Sequence, residues 1–163
     1  LARRALEAVE AYVGDRPVPV WQAYRATLRG EVALTEGRPA EAVGLLREAT
    51  GGPPVFEAHE SLARALEAQG DLTAALAEWR WIARHRGQAW AEQLDSGFGR
   101  ELRLLAWNRA DYHRGRLLER LGDPAGAAER YRAYLDRFDG PGVDDPLLEV
   151  ARRRLRALPE PSG

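Results

Sequence analysis

Cysteine and methionine are absent from the 163 residues, and so is lysine: all 24 basic residues are arginine. Without cysteine there is neither a disulfide nor a thiolate metal site, and the redox compartment stays open. Without methionine, Leu1 is not a natural start, and a piece of a longer chain is expected. No apolar run approaches the roughly 18 residues that mark a membrane span. The opening stretch LARRALEAVEAYVG is amphipathic and charged throughout, unlike a signal peptide. An excess of one charge is also missing. Basic and acidic residues number 24 and 25, giving a formal net charge of −1, so no global field favours nucleic acid or an anionic membrane.

Hydrophobic residues make up 45% and charged residues 30% of the chain. That is ordinary for a globular protein with one core or a short array of repeats. The Ala, Leu, Arg and Gly bias reads as GC-rich coding, and a bacterial source is expected. Arginine is spread evenly along the chain, which speaks against selection for an arginine-specific ligand.

Almost every segment has helical periodicity, and nothing alternates strictly over enough residues to make a strand. The punctuation is regular: Gly-Asp-Arg-Pro at 14–17, Gly-Arg-Pro at 37–39, Gly-Gly-Pro-Pro at 51–54, Gly-Asp at 70–71, Gly-Phe-Gly at 97–99, Gly-Asp-Pro at 122–124 and Gly-Pro-Gly at 140–142. Gly suits the left-handed cap of one helix, and Asp or Pro suits the start of the next. Helices are expected near 1–13, 18–36, 39–50, 56–69, 72–86, 100–121, 124–138 and 145–158, with a short turn around 89–95. Most connections are two to five residues, so successive helices should pack antiparallel.

Aligning the hinge glycines superposes Gly37, Gly70 and Gly122. Ala42, Ala75 and Ala127 then coincide, each four residues before Leu46, Trp79 or Tyr131. Upstream, Gly30, Ala63 and Gly115 coincide. Small residues there let two helices approach, and the large residue fills the space between hairpins. This pattern resembles the tetratricopeptide repeat, W-x2-L-G-x2-Y, A-x3-F and P over about 34 residues. The first repeat carries Gly30, Ala42-x3-Leu46 and Pro54. The second carries Leu62-Ala63-x2-Leu66 and Ala75-x3-Trp79, with Gly87 in place of the proline. The third carries Gly115-x2-Leu118 and Ala127-x3-Tyr131, with Asp139 at that place. Ala5-x3-Val9 and Pro17 fit an orphan second helix. The opening Trp of the signature is replaced by Ala26, His59 and Asp111.

The resemblance implies an all-α fold: antiparallel helical hairpins stacked as a right-handed α-solenoid with a C-terminal capping helix. Residues 1–163 then form a single domain. Its parts are an orphan second helix (1–17), repeat one (18–55), repeat two (56–88), an insertion (89–99), repeat three (100–141) and the cap (145–158). A plain, non-repeating bundle is the alternative. Gly37 and Gly70 are 33 residues apart but Gly70 and Gly122 are 52 apart, so the first helix of repeat three should start early, near Arg100. The insertion suits a binding face or, equally, a cover for the hydrophobic seam through Trp90 and Phe98. The ending resembles the TPR regions at the C-termini of larger bacterial kinases and transcriptional regulators.

Catalytic patterns are missing. His59, His85 and His113 show no HExxH arrangement and no i, i+4 pair. Ser61, Ser96 and Ser162 lack a nucleophile elbow. Asp95-Ser96-Gly97-Phe98-Gly99 lacks the lysine of a phosphate loop and reads as a turn before a helix. Arg152-Arg153-Arg154 complements the negative end of its own helix. The five tryptophans suit packing, with an aromatic ligand groove as the bolder reading.

The resemblance implies a non-enzymatic protein-interaction module, without cofactor or metal, that takes a peptide or protein segment on a concave face lined by first helices. The inward candidates are Tyr24, Thr27, Glu31 and Leu34; Glu57, Glu60, Arg64 and Glu67; and Arg109, Tyr112, Arg116 and Glu119. The carboxylate clamp of co-chaperone TPR domains uses Lys and Asn, whereas this chain has no Lys and a single Asn, Asn108. Arg64, Arg109 and Arg116 are left to hold an acidic segment. The preferred alternative is that these charges neutralise one another across neighbouring repeats. A structural, self-associating or intramolecular regulatory domain, with a homodimer left open, is the rival role. Neither nucleic acid nor membrane insertion is expected, and a cytoplasmic location is.

Overall fold

Three glycines close three turns in the same way. Gly37, Gly70 and Gly122 sit at φ +74°, +92° and +79°, a conformation that costs other L-residues about 1–2 kcal/mol. The residue after each donates its amide to the carbonyl five residues back. These bonds run from Arg38 to Ala33, Asp71 to Leu66 and Asp123 to Leu118, all at 2.9 Å, and they satisfy a carbonyl that the helix end would leave open. The next helix then starts at once. Asp71 Oδ1 accepts from the Ala74 amide at 3.0 Å and Asp123 Oδ1 from the Gly126 amide at 2.8 Å. At the first turn Arg38 provides no such cap, and Pro39 opens the helix instead.

In this computed structural model residues 2–14, 18–53, 55–91, 98–138 and 145–159 are described. Pro17, Pro54, Asp139, Gly140, Gly142 and most of the expected insertion (92–97) lie outside them. The helices are α1 (Ala2–Val13), α2 (Pro19–Thr35), α3 (Pro39–Thr50), α4 (Phe56–Gln69), α5 (Leu72–Arg84), α6 (Arg86–Ala91), α7 (Phe98–Arg120), α8 (Pro124–Phe138) and α9 (Leu147–Ala157). Hairpins α2–α3, α4–α5 and α7–α8 stack in chain order, with α1 against α2 and α9 against α8. The fold is an all-α solenoid.

The aligned residues carry the packing. A Cβ added to Gly30 would lie 2.5 Å from Leu46 Cγ, and one on Gly115 would lie 2.8 Å from the Tyr131 ring. Only a hydrogen fits at either place. Ala42, Ala75 and Ala127 are fully buried one turn before Leu46, Trp79 and Tyr131. The three replacements of the signature tryptophan are also buried, each satisfied differently. Ala26 packs with Ala23, Ala49, Val55 and Ala58. His59 stacks on Trp81 at 3.5 Å and holds Glu78 through Nδ1 at 2.7 Å. Asp111, only 4% exposed, is ringed by Arg114 at 2.8 Å, Arg137 at 3.0 Å and Arg130 at 3.5 Å, as a buried carboxylate requires.

Between α5 and α7 the chain departs from the expected layout. The helix expected over 72–86 stops at Arg84, and the short turn expected near 89–95 is met by α6, which starts three residues earlier, at Arg86. His85 causes the break: its amide bonds to the Ile82 carbonyl and its Nδ1 lies 2.6 Å from the Trp81 carbonyl, closing the end of α5. Helix α7 runs for 23 residues and touches α4, α5, α6 and α8, so its apolar residues are distributed around it and form no single stripe. Arg103, 2% exposed, ties its early turns inward, to Glu57 at 2.7 Å and to the Ala89 carbonyl at 3.3 Å.

Helix α9 covers the last hairpin. Leu148 and Ala151 bury against Tyr131 and Tyr134. Arg154 reaches Glu119 at 3.0 Å, and Asp145 Oδ1 accepts the Leu147 amide at 3.0 Å.

Candidate functional site

The first helices of the three hairpins share a groove of about 470 Å³. Positions i, i+3, i+4 and i+7 of a helix lie on one face. On α2 that face presents Tyr24, Thr27, Leu28 and Glu31, and on α4, 33 residues later, Glu57, Glu60, Ser61 and Arg64. Helix α7 contributes Leu105, Ala106, Arg109 and His113. Leu28, Leu105 and Ala106 make the walls largely apolar, and Leu105 is among the exposed large hydrophobic residues.

Most charges in the groove are already engaged. Glu31 accepts from the Ser61 hydroxyl and from Arg64 at 3.0 Å. Glu57 takes Arg103 at 2.7 Å. Arg109 grips both oxygens of Asp145, at 2.9 and 3.0 Å. Burial works against that carboxylate, yet the bonds from Arg109 and the Leu147 amide hold it below its ordinary range. Glu60 takes no hydrogen bond and no ion pair from the described residues. Burial raises its pKa, with Glu31 and Glu57 adding to the rise and Arg64 and Arg109 opposing it. His113 lies flat on Trp79 with ring centroids 4.1 Å apart. Burial, reinforced by Arg116, Arg109 and Arg64, lowers its pKa to about 3, so the ring is neutral at pH 7.

The groove therefore brings together Tyr24, Thr27, Glu31, Glu57, Glu60, Arg64 and Arg109 of the residues expected to face inward. The others lie elsewhere. Tyr112 is buried beside Tyr131 and Tyr134. Arg116 and Arg120 hold Glu67 at 2.6 and 2.8 Å, Glu119 takes the Tyr131 hydroxyl and Arg154, and Leu34 packs against the main core. Leu28, Ser61 and His113 occupy the i+4 position of each face and were open to a fuller helical reading. Leu105 and Ala106 belong to the added turns of α7, for which the repeat pattern offers no counterpart.

The tryptophans do not line this groove. Trp79 is core, Trp81 lies between His59 and His85, and Trp107 donates to the Ala83 carbonyl beneath Arg86 and Arg137. Trp90 is 60% exposed. Among the described residues no cluster of three or more His, Asp or Glu is placed to hold a metal, and no helix is long and apolar enough to cross a membrane.

Stacked hairpins with one shared groove define a helical-repeat protein. A family model described as tetratricopeptide repeat matches residues 27–80 and 107–143, more than half of the chain, and the chain belongs to that family. The unmatched 81–106 contain α6 and the early turns of α7. No curated protein and no solved structure gives a significant match. Tetratricopeptide repeats generally mediate protein–protein interaction and are generally non-catalytic.

Proposed function

We propose that this chain is a protein-interaction module that binds an extended or helical segment of a partner protein in the groove of α2, α4 and α7. The observation that carries the reading is the convergence of three aligned helix faces on one apolar-walled groove of about 470 Å³, within the range of ordinary ligand sites. The arginines considered for an acidic segment are engaged within the chain, Arg64 by Glu31, Arg109 by Asp145 and Arg116 by Glu67. An acidic partner would have to displace them. In the self-associating alternative a second copy would meet α1, where Tyr12 is 62% exposed beside exposed Arg4, Glu7, Ala8 and Ala11.

The test is to select peptides from a random library on the 163-residue chain and map a selected peptide by amide chemical shifts. The expected result is a continuous set of shifts on α2, α4 and α7. Shifts confined to α3, α5 and α8 would overturn the assignment.

A further inference from the structure

The charges of the groove do not balance. Counting the charged residues that line it and their ion-pair partners, four carboxylates (Glu31, Glu57, Glu60, Asp145) meet three guanidiniums (Arg64, Arg103, Arg109); Arg116, which reaches the His113 ring at 3.5 Å, is matched by Glu67 outside the groove. His113 adds no charge at pH 7. The excess resides on Glu60, which has no partner among the described residues and stands on the middle helix of the three, with Leu28 on one flanking helix and Leu105 on the other.

We propose that the segment received by this groove presents a basic side chain, Lys or Arg, to Glu60, with its aliphatic stem against the walls formed by Leu28 and Leu105. The proposal rests on the groove being the binding face. Its physical basis is complementarity. A lysine or arginine stem covers apolar surface while its head forms a charge-assisted bond to a carboxylate. A neutral or acidic segment over the same groove would bury Glu60 without compensation, which is costly and therefore selects against such partners. Binding through ionised Glu60 also weakens on acidification, as the pH falls through the raised pKa of that carboxyl.

The experiment uses random twelve-residue peptides displayed on phage, selected in parallel on the wild-type chain and on Glu60→Gln. The wild-type pool is expected to share Lys or Arg at one position. A synthetic peptide from that pool should lose about tenfold in affinity when its basic residue becomes Gln, and again about tenfold on the Glu60→Gln protein. The two changes together should cost less than the sum of each alone. The thermal midpoint of Glu60→Gln at pH 7 should not fall, because no intrachain bond is lost. A pool whose amide shifts lie in the groove but which shows no basic position, or binds Glu60→Gln equally well, overturns the charge proposal and leaves the groove reading standing. Shifts elsewhere, or no enrichment at all, overturn the groove reading and this proposal with it.

Discussion

His113 illustrates how a repeat protein can place a titratable ring where it stays uncharged. The ring is stacked on buried Trp79, and the Arg116, Arg109 and Arg64 charges reinforce the effect of burial. An unfolded imidazole takes up a proton near its ordinary pKa of 6.5, whereas the folded one does so only near pH 3. Across that window the unfolded chain binds a proton that the folded chain refuses, so stability falls as pH falls from 6.5 toward 3. His113→Gln removes this contribution. Denaturant unfolding at pH 7 and pH 4 should show a smaller acid loss for the variant than for wild type. Equal losses would mean that His113 is already charged or solvated in the folded chain. Glu60 has the opposite sign: its raised pKa means that its ionisation costs stability as pH rises, in keeping with the steady midpoint expected for Glu60→Gln.

At the scale of the helix, the regular parts of the fold were legible because their causes are local. A glycine at positive φ followed by Asp or Pro ends one helix and starts the next, and small residues four before large ones fix the packing face. Ala127 tests that register. It is fully buried one turn before Tyr131, itself against Gly115. Ala127→Trp should destabilise the third hairpin by more than about 3 kcal/mol, seen as a large drop in the thermal midpoint by circular dichroism; a midpoint close to wild type would refute the packing described. The break at His85 was illegible because it depends on an imidazole reaching the Trp81 carbonyl. The groove face of α7 was only partly legible. Repeat register pointed to Tyr112 and Arg116, but the lengthened helix supplies Leu105 and Ala106 one turn earlier and Tyr112 turns into the core. Charge partners such as Glu31 with Arg64 or Glu67 with Arg116 lie 33 and 49 residues apart, and only stacking makes them neighbours.

Across the whole molecule, the cap and the groove are one electrostatic unit. Arg109 stands in the groove, but its charge is met by Asp145 just ahead of α9, with two bonds of 2.9 and 3.0 Å. A change at the C-terminal end should therefore alter what the groove accepts. Asp145→Asn keeps the shape of the side chain and removes its charge, leaving the groove's guanidiniums equal in number to its carboxylates. Affinity for a lysine-bearing peptide should fall about fivefold, the scale of one partly exposed charge interaction, and an acidic counterpart should gain. Asp136→Asn makes the same change in net charge at an exposed position on α8 and should leave both affinities unchanged. Calorimetric titration of the two variants separates local coupling from net charge, because equal losses in both would show that Asp145 acts only through the total charge of the chain.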